Sequence, residues 1–186
     1  GASCADGSTW GTRLSPVRGR WAWFSCLTTP AGSLFGVVGA GGAARAIVQT
    51  LADAGAPEIR LANRTRVRAE ALAASAGDVV RVVGWNEAEA AMEGATTIVN
   101  TTSLGMEGQP PLEIGFDAAP RDALATDIVY QPLVTPFLQR AAEAGLATVD
   151  GLGMLLHQAV PGFEDWFGRR PEVDDELRAA VLGAGR

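Results

Sequence analysis

A glycine-rich segment close to residue 40 carries the strongest chemical signal in the sequence. Gly39, Gly41 and Ala44 satisfy the pattern G-x-G-x-x-G/A directly after a run of apolar residues. In this pattern the first glycine permits a tight turn, the second lets the backbone approach a diphosphate, and the small third residue lets a helix pack closely on a strand. Amides at the start of that helix then face the negative charge. The segment predicts a dinucleotide-binding turn, whose contacts come from Gly39, Ala40, Gly41, Gly42 and Ala43.

The residues after the next predicted strand indicate which dinucleotide is bound. A domain that prefers NAD places an Asp or Glu about 20 residues beyond the glycine turn, where the carboxylate bonds the ribose hydroxyls. Asn63, Arg64 and Thr65 hold that place here, and Arg68 follows one turn later. Guanidinium groups neutralise a 2′-phosphate that a carboxylate would repel. We therefore predict NADP as the cofactor, against the alternative that these arginines are only the solvated start of a helix.

Strands and helices that alternate along the chain must hold these two segments side by side. The run Leu34–Val38 is apolar throughout, like a strand that is covered on both faces. Further strands are predicted at Ile59–Ala62, Val79–Val83, Thr96–Asn100, Ala125–Tyr130 and Ala147–Val149. Helices are predicted at Ala43–Ala54, Arg66–Ser75, Glu87–Met92 and Val173–Leu182, with one more that begins after Thr135. The alternation predicts an α/β fold, a Rossmann-type doubly wound parallel sheet with a C-terminal helical segment.

Cap and turn residues support these boundaries. Thr65 and Thr135 are predicted N-caps, because a threonine hydroxyl can accept a backbone N–H at the start of a helix. Pro136 fits the first helical position after Thr135. The glycines predicted to end helices are Gly55, Gly77 and Gly145.

Composition and charge exclude several classes of partner. The 186 residues include 15 basic and 21 acidic side chains, a net charge of −6, so no positive field would attract nucleic acid or an anionic membrane surface. All 15 basic residues are arginine, and lysine is absent from the sequence. Cys4 and Cys26 are too few for a disulfide framework and have no metal-site spacing with the single histidine, His157. We expect a cytoplasmic protein that binds a small molecule, holds no metal, and binds neither nucleic acid nor membrane.

Several segments of the sequence together resemble shikimate dehydrogenase. The first three are Gly39–Arg45, then Asn63–Thr65 with Arg68, and then Asn100–Met106, which is NTTSLGM. Asp127–Tyr130 resembles the strand that precedes the family's nicotinamide-side helix. Asp150–Ala159, which is DGLGMLLHQA, resembles the family's most distinctive C-terminal motif. The resemblance extends from about Leu34 to about Leu182, with the motifs in the family's order.

The resemblance implies an enzyme that uses NADPH to reduce 3-dehydroshikimate to shikimate, a hydride transfer in the biosynthesis of chorismate and the aromatic amino acids. Its implied site residues follow predicted strand ends, where open α/β sheets bind their ligands. Those along the cofactor are Thr101, Thr102 and Ser103. Those at the border of nicotinamide and substrate are Met106, Tyr130, Gly151 and Met154. The implied substrate-binding residues are Ser15, which lies in a segment like the family's substrate loop, Tyr130 and Gln158.

The N-terminal part of the sequence departs from the family's pattern. Members carry a substrate domain with a catalytic Lys and a partner Asp, and this sequence has no lysine. We expect residues 1–33 to be an irregular remnant of that domain, 34–150 to form the NADP-binding domain and 151–186 to form C-terminal helices. A ketone that accepts a hydride also needs a proton donor. We therefore assign no catalytic residue, and we expect a truncated chain with impaired activity.

Two alternatives remain open for the function. A non-catalytic NADP-binding module would bind the cofactor without turnover, and a quinate/shikimate dehydrogenase relative would accept a different substrate. Trp166 and Phe167 belong to an apolar C-terminal region that we expect to be partly bare, which favours a homodimer. His157 adjoins Gln158 on a predicted helix and points to a different face, so we assign it no proton-transfer role.

Overall fold

A computed structural model of the chain describes residues 33–184. These residues fall into two compact units, 33–151 and 152–184. Ser15, and all of the predicted remnant at 1–33 except Ser33, lie outside the described residues.

Six parallel strands form one sheet in the first unit. Their bounds are β1 Leu34–Val38, β2 Glu58–Ala62, β3 Val80–Val83, β4 Thr97–Asn100, β5 Leu124–Asp127 and β6 Ala147–Val149. The strand order is β3-β2-β1-β4-β5-β6, and each neighbouring pair is parallel. This order confirms the predicted doubly wound sheet of the Rossmann type. It changes direction between β1 and β4, the point at which open sheets of this kind bind their ligands at the carboxyl ends of the strands.

The central strands are apolar because both of their faces are covered. The fully buried side chains on β1, β2 and β4 include Phe35, Val37, Ile59, Leu61, Ile98 and Val99. Strands buried on two faces show continuous apolar runs rather than alternation, which is the pattern at Leu34–Val38. The helices of this unit are α1 Gly42–Asp53, α2 Arg66–Ala76 and α3 Pro136–Glu143.

The helix ends follow the predicted cap residues with one exception. Thr135 Oγ1 accepts the Leu138 N–H at 3.3 Å, and Pro136 takes the first position of α3. The three predicted helix-ending glycines, Gly55, Gly77 and Gly145, all have positive φ. Thr65 stands at the N-cap of α2, but its hydroxyl makes no capping bond. That part of the prediction is wrong. The turn before α2 has a different side-chain bond, in which Asn63 Nδ2 donates to the Thr65 carbonyl oxygen at 2.8 Å.

The fifth strand is shorter than its sequence pattern predicts. It ends at Asp127 rather than at Tyr130. The carboxylate of Asp127 accepts the N–H of Val129 at 2.9 Å, so the backbone turns out of the sheet directly after Asp127. The residues that follow are therefore available to line a site.

The predicted helix Glu87–Met92 is instead two short 3₁₀ turns, Trp85–Glu87 and Ala90–Met92. Forming the first turn of an α-helix costs conformational entropy, and so short a segment adds too few hydrogen bonds to compensate for that cost. Arg60 Nη1 donates to the carbonyl oxygen of Glu93 at 2.7 Å, and this bond satisfies the backbone where the second turn ends.

The second unit consists of two helices, α4 Leu152–Phe167 and α5 Asp175–Ala184. Leu152, Leu156 and Val160 recur every four residues along α4 and are buried, as on the apolar face of an amphipathic helix. At the end of α4, Trp166 and Phe167 are 82% and 66% exposed. Among the helices of residues 33–184, none is long and apolar enough to cross a lipid bilayer.

The last helix starts at Asp175 rather than at the predicted Val173. Asp174 Oδ1 accepts the Leu177 N–H at 2.8 Å, the bond that an N-cap aspartate makes at a helix start. The prediction placed the start too early because it did not use this cap.

One buried hydroxyl group in the sheet has no hydrogen-bond partner. Thr126 on β5 is 1% exposed, and its Oγ1 makes no hydrogen bond to the described residues. Its register partners on the neighbouring strands are both valine, Val99 on β4 and Val149 on β6. A buried polar group without a partner costs about 1–3 kcal/mol.

Replacing this hydroxyl by a methyl group, in Thr126→Val, should raise the free energy of unfolding by about 1 kcal/mol. Thr101→Val is the matched control, because Thr101 Oγ1 donates to the Val38 carbonyl oxygen at 2.8 Å and the variant loses that bond. Urea unfolding of both variants should give midpoint shifts of opposite sign. A lower midpoint for Thr126→Val would contradict the prediction.

Candidate functional site

The glycine turn after β1 is held against two neighbouring strands. Gly39 has a φ of 113°, a left-handed conformation that favours glycine. Its N–H donates to the carbonyl oxygen of Ala62, at the end of β2, at 2.8 Å. A Cβ at this position would lie 2.5 Å from Oγ1 of Thr101, which follows β4. The turn therefore requires glycine at its first position, as the sequence pattern predicts.

The second half of the turn opens into free space at the start of α1. A Cβ at Gly41 or Gly42 would meet no atom within 4 Å. The Gly41 carbonyl oxygen accepts the Arg45 N–H at 3.0 Å. The N–H groups of residues 42–44 therefore have no acceptor within the helix. Among residues 33–184 no side chain caps these amides, and the first turn of α1 has no acidic residue. Uncapped donors at an exposed, glycine-rich helix start fit a bound phosphate.

Three arginines follow β2, and they differ in whether they have an acidic partner. Arg66 Nε pairs with Glu70 Oε1 at 2.8 Å. Arg64 and Arg68 are exposed, and neither has an acidic partner among residues 33–184. Both guanidinium groups are therefore without an acidic partner in the described part of the chain, one in the turn after β2 and the other in the first turns of α2.

The loop after β4 uses most of its hydroxyl groups within the protein. Thr101 Oγ1 donates to the carbonyl oxygen of Val38, and Thr102 Oγ1 donates to Asn100 Oδ1 at 2.8 Å. Asn100 Oδ1 also accepts the Thr102 N–H at 3.0 Å. Ser103 is exposed. The threonines predicted along the cofactor thus shape the loop, and Ser103 presents its side chain to solvent.

A buried carboxylate joins this loop to the ends of the neighbouring elements. Asp127 is 0% exposed, and its Oδ2 accepts Asn100 Nδ2 at 3.0 Å and Thr135 Oγ1 at 2.7 Å. Its Oδ1 accepts the Val129 N–H at 2.9 Å. Burial raises the pKa of Asp127 above its ordinary value, while these hydrogen bonds act in the opposite direction. Sequence reasoning did not single out this group, although Asn100 and Asp127 both end apolar strands and are register partners.

A cleft of about 470 Å³ lies at this edge of the sheet. Its walls are the loop after β4, with Thr101, Thr102, Ser103, Met106 and Glu107, and the segment after β5, with Ile128, Val129, Tyr130 and Gln131. Met106 and Tyr130 are 42% and 46% exposed, so apolar and aromatic surface faces the opening. Gln131 Nε2 donates to Glu107 Oε2 at 3.1 Å and joins the two walls. The structure brings together in one cleft five residues predicted for the site, namely Thr101, Thr102, Ser103, Met106 and Tyr130.

Gly151, at the end of β6, acts through its lack of a side chain. A Cβ there would lie 2.6 Å from the carbonyl oxygens of both Ile128 and Val129. Any other residue at 151 would displace the segment that forms one wall of the cleft. Sequence reasoning selected Gly151, and the structure supplies this steric reason.

The remaining predicted residues lie on α4, in the second unit. Met154 is half-buried and Gln158 is exposed, and residues four apart share a helix face. His157 is half-buried, and its burial together with the positive charge of Arg170 lowers its pKa. Within residues 33–184 no group of three or more His, Cys, Asp or Glu side chains is arranged to hold a metal ion.

Two family profiles match the chain. Residues 29–108 match the profile described as shikimate / quinate 5-dehydrogenase. Residues 151–181 match the shikimate 5'-dehydrogenase C-terminal domain. Together the matches cover more than half of the 186 residues.

Curated relatives agree with these profiles. The chain is 59% identical to the shikimate dehydrogenase (NADP(+)) of Dinoroseobacter shibae over 154 residues, which is 83% of this chain and 55% of the relative. It is 61% identical to the enzyme of the same name from Paramagnetospirillum magneticum over 146 residues, 78% of this chain and 53% of the relative. The chain thus spans about half the length of the curated relatives that it matches.

Solved structures share the fold. Quinate dehydrogenase from Corynebacterium glutamicum, in complex with NAD, superposes with a TM-score of 0.74 at 30% identity, over 84% of this chain and 57% of that one. Shikimate 5-dehydrogenase from Thermus thermophilus, in complex with NADP(H) and shikimate, gives a TM-score of 0.66 at 36% identity, over 80% and 54%. With its two matching profiles, its relatives at about 60% identity and this sheet, the chain belongs to the shikimate dehydrogenase family.

Proposed function

We propose that this chain binds NADP(H) at the carboxyl edge of its sheet. The observation that carries the proposal is the set of amides at the start of α1 that no described side chain caps, next to the open space around Gly41 and Gly42. The diphosphate would lie there, on the turn from Gly39 to Ala43. Arg64 and Arg68 are the cations for the 2′-phosphate, because neither has an acidic partner among the described residues.

The residues that line the cleft would surround the nicotinamide end of the cofactor. When bound, NADPH supplies the hydride. Met106 and Tyr130 provide apolar surface at the mouth of the cleft, and Ser103 provides an exposed hydroxyl. Gly151 keeps the Ile128–Val129 wall in position by leaving room for its carbonyl oxygens. Asn63 and Thr65 form the turn that carries Arg64.

We further propose that the whole protein reduces 3-dehydroshikimate to shikimate with NADPH. The support is its likeness to relatives named shikimate dehydrogenase (NADP(+)) and to a solved family structure that contains NADP(H) and shikimate. Ser15, Tyr130, Met154 and Gln158 stay predicted residues of the nicotinamide and substrate region. The predicted division at 34–150 and 151–186 is supported by the break between compact units after Gly151.

Quinate is the second candidate substrate. One matching profile names quinate together with shikimate, and the Corynebacterium glutamicum structure is a quinate dehydrogenase. A non-catalytic NADP-binding module also stays a prediction. Both alternatives share the proposed cofactor site, so measured turnover distinguishes them from the main proposal.

Cytoplasmic location and homodimer formation also stay predictions. The homodimer is supported by the exposure of Trp166 and Phe167, since bare aromatic surface favours association. Sedimentation at micromolar concentration should show a dimer, and a monomer over the whole concentration range would contradict this expectation.

The cofactor proposal predicts tighter binding of NADPH than of NADH. Arg64→Ala and Arg68→Ala should each weaken NADPH binding about tenfold, because each removes a charge-assisted bond to the 2′-phosphate, and should leave NADH binding unchanged. Arg66→Ala is the matched control, since Arg66 already pairs with Glu70. Fluorescence titration measures all four proteins. Equal affinity of the wild-type chain for NADPH and NADH would overturn the assignment.

The catalytic proposal predicts that the 186-residue chain by itself binds NADP⁺ but oxidises shikimate negligibly. It has no lysine, and loss of a positioned acid or base costs about 10²–10⁴-fold in rate. A chimera that joins the substrate domain of the Dinoroseobacter shibae relative to residues 34–186 should oxidise shikimate faster than quinate.

The same chimera with its substrate-domain lysine replaced by methionine is the control. Rapid shikimate turnover by the 186-residue chain would contradict the need for that lysine. A preference of the chimera for quinate would reassign the substrate.

A further inference from the structure

We propose that Asp127 is a positioning residue for the nicotinamide half of the cofactor, because one hydrogen-bond network centred on its carboxylate holds both walls of the cleft. The inference rests on the proposed binding of NADP(H). Asp127 itself does not line the cleft, and it acts through residues that do.

Three segments that are distant in sequence meet at this carboxylate. Asn100 ends β4, Thr135 starts α3, and Val129 belongs to the segment after β5. Each donates a hydrogen bond to Asp127, at 3.0, 2.7 and 2.9 Å respectively. The carboxylate is completely buried, so solvent does not replace any of these donors.

Two chains of hydrogen bonds lead to the Asp127 carboxylate, and each ends in a side chain that donates to it. On one side Leu104 N–H donates to Thr102 Oγ1, and Thr102 donates to Asn100 Oδ1. On the other side Thr135 Oγ1 accepts the Leu138 N–H and gives its own proton to Asp127. An ionised carboxylate, which only accepts, is the group that completes such a network.

An asparagine at position 127 would disturb this arrangement without changing its size. The NH₂ group of asparagine would replace one of the two carboxylate oxygens. In one orientation it would face Thr135 and Asn100, and in the other it would face the Val129 N–H. All three groups are donors here, so either orientation brings two donors together. At least one bond would break, so the wall that contains Thr102 or the wall that contains Val129 would move. The glycine turn and Arg64 make no bond to this network, so the adenosine side of the site would stay in place.

The test compares two ligands on the full 186-residue chain. NADPH occupies both halves of the proposed site, whereas adenosine 2′,5′-bisphosphate occupies only the adenosine half, formed by Arg64, Arg68 and the glycine turn. Asp127→Asn should weaken NADPH binding about tenfold and change bisphosphate binding less than about twofold. Isothermal calorimetry gives both dissociation constants, and thermal unfolding of each protein gives its stability.

Leu124→Ala is the control for a purely structural effect. Leu124 is buried at the opposite end of β5, and its truncation lowers stability without contact to the network. It should leave the ratio of NADPH affinity to bisphosphate affinity at the wild-type value. If Asp127→Asn also leaves that ratio unchanged, the positioning role is overturned. If the wild-type chain binds neither ligand, the proposed function itself fails.

Thr135 variants keep the inference testable if Asp127→Asn does not fold. Thr135→Val removes one donor to Asp127 and should lower the same ratio by about threefold. Thr135→Ser keeps the hydroxyl group and should restore the wild-type ratio. Equal ratios for the valine and serine variants would overturn the inference.

Discussion

A carboxylate in a protein interior must be surrounded by hydrogen-bond donors, because an unpaired buried charge costs several kcal/mol. Asp127 meets this requirement with donors from the end of β4, the start of α3 and the backbone after β5. The bond from Val129 also ends β5, and the Thr135 hydroxyl that donates to Asp127 accepts the Leu138 N–H and so caps α3. The cleft at the edge of the sheet has its shape because one buried group orders all three segments.

The glycines of the site have two different structural roles. Gly39 and Gly151 permit close approach, since a Cβ at either position would collide with Thr101 or with the carbonyl oxygens of Ile128 and Val129. Gly41 and Gly42 border open space, and no side chain of the described residues caps the first amides of α1. The close approach at Gly39 and Gly151 lets neighbouring loops pack together. The open space at Gly41 and Gly42 leaves room for a phosphate at the start of α1.

Charge and hydroxyl groups that look equivalent in the sequence have different surroundings in the fold. Arg66 is paired with Glu70, whereas Arg64 and Arg68 have no acidic partner among residues 33–184. In the same way, Thr101 and Thr102 donate their hydroxyl protons within the protein, while Ser103 is exposed. The residue types define which groups could bind a cofactor, and their hydrogen-bond partners decide which of them remain free.

The sequence by itself determined the features that depend on neighbours within one turn or one strand. The glycine turn, the apolar strand at Leu34–Val38 and the Thr135–Pro136 helix start were all predicted, because each is a local steric or hydrogen-bonding preference. The buried contact between Asn100 and Asp127 was decided only by the tertiary structure. Those two residues are 27 positions apart and meet because β4 and β5 align in register, which no local preference encodes.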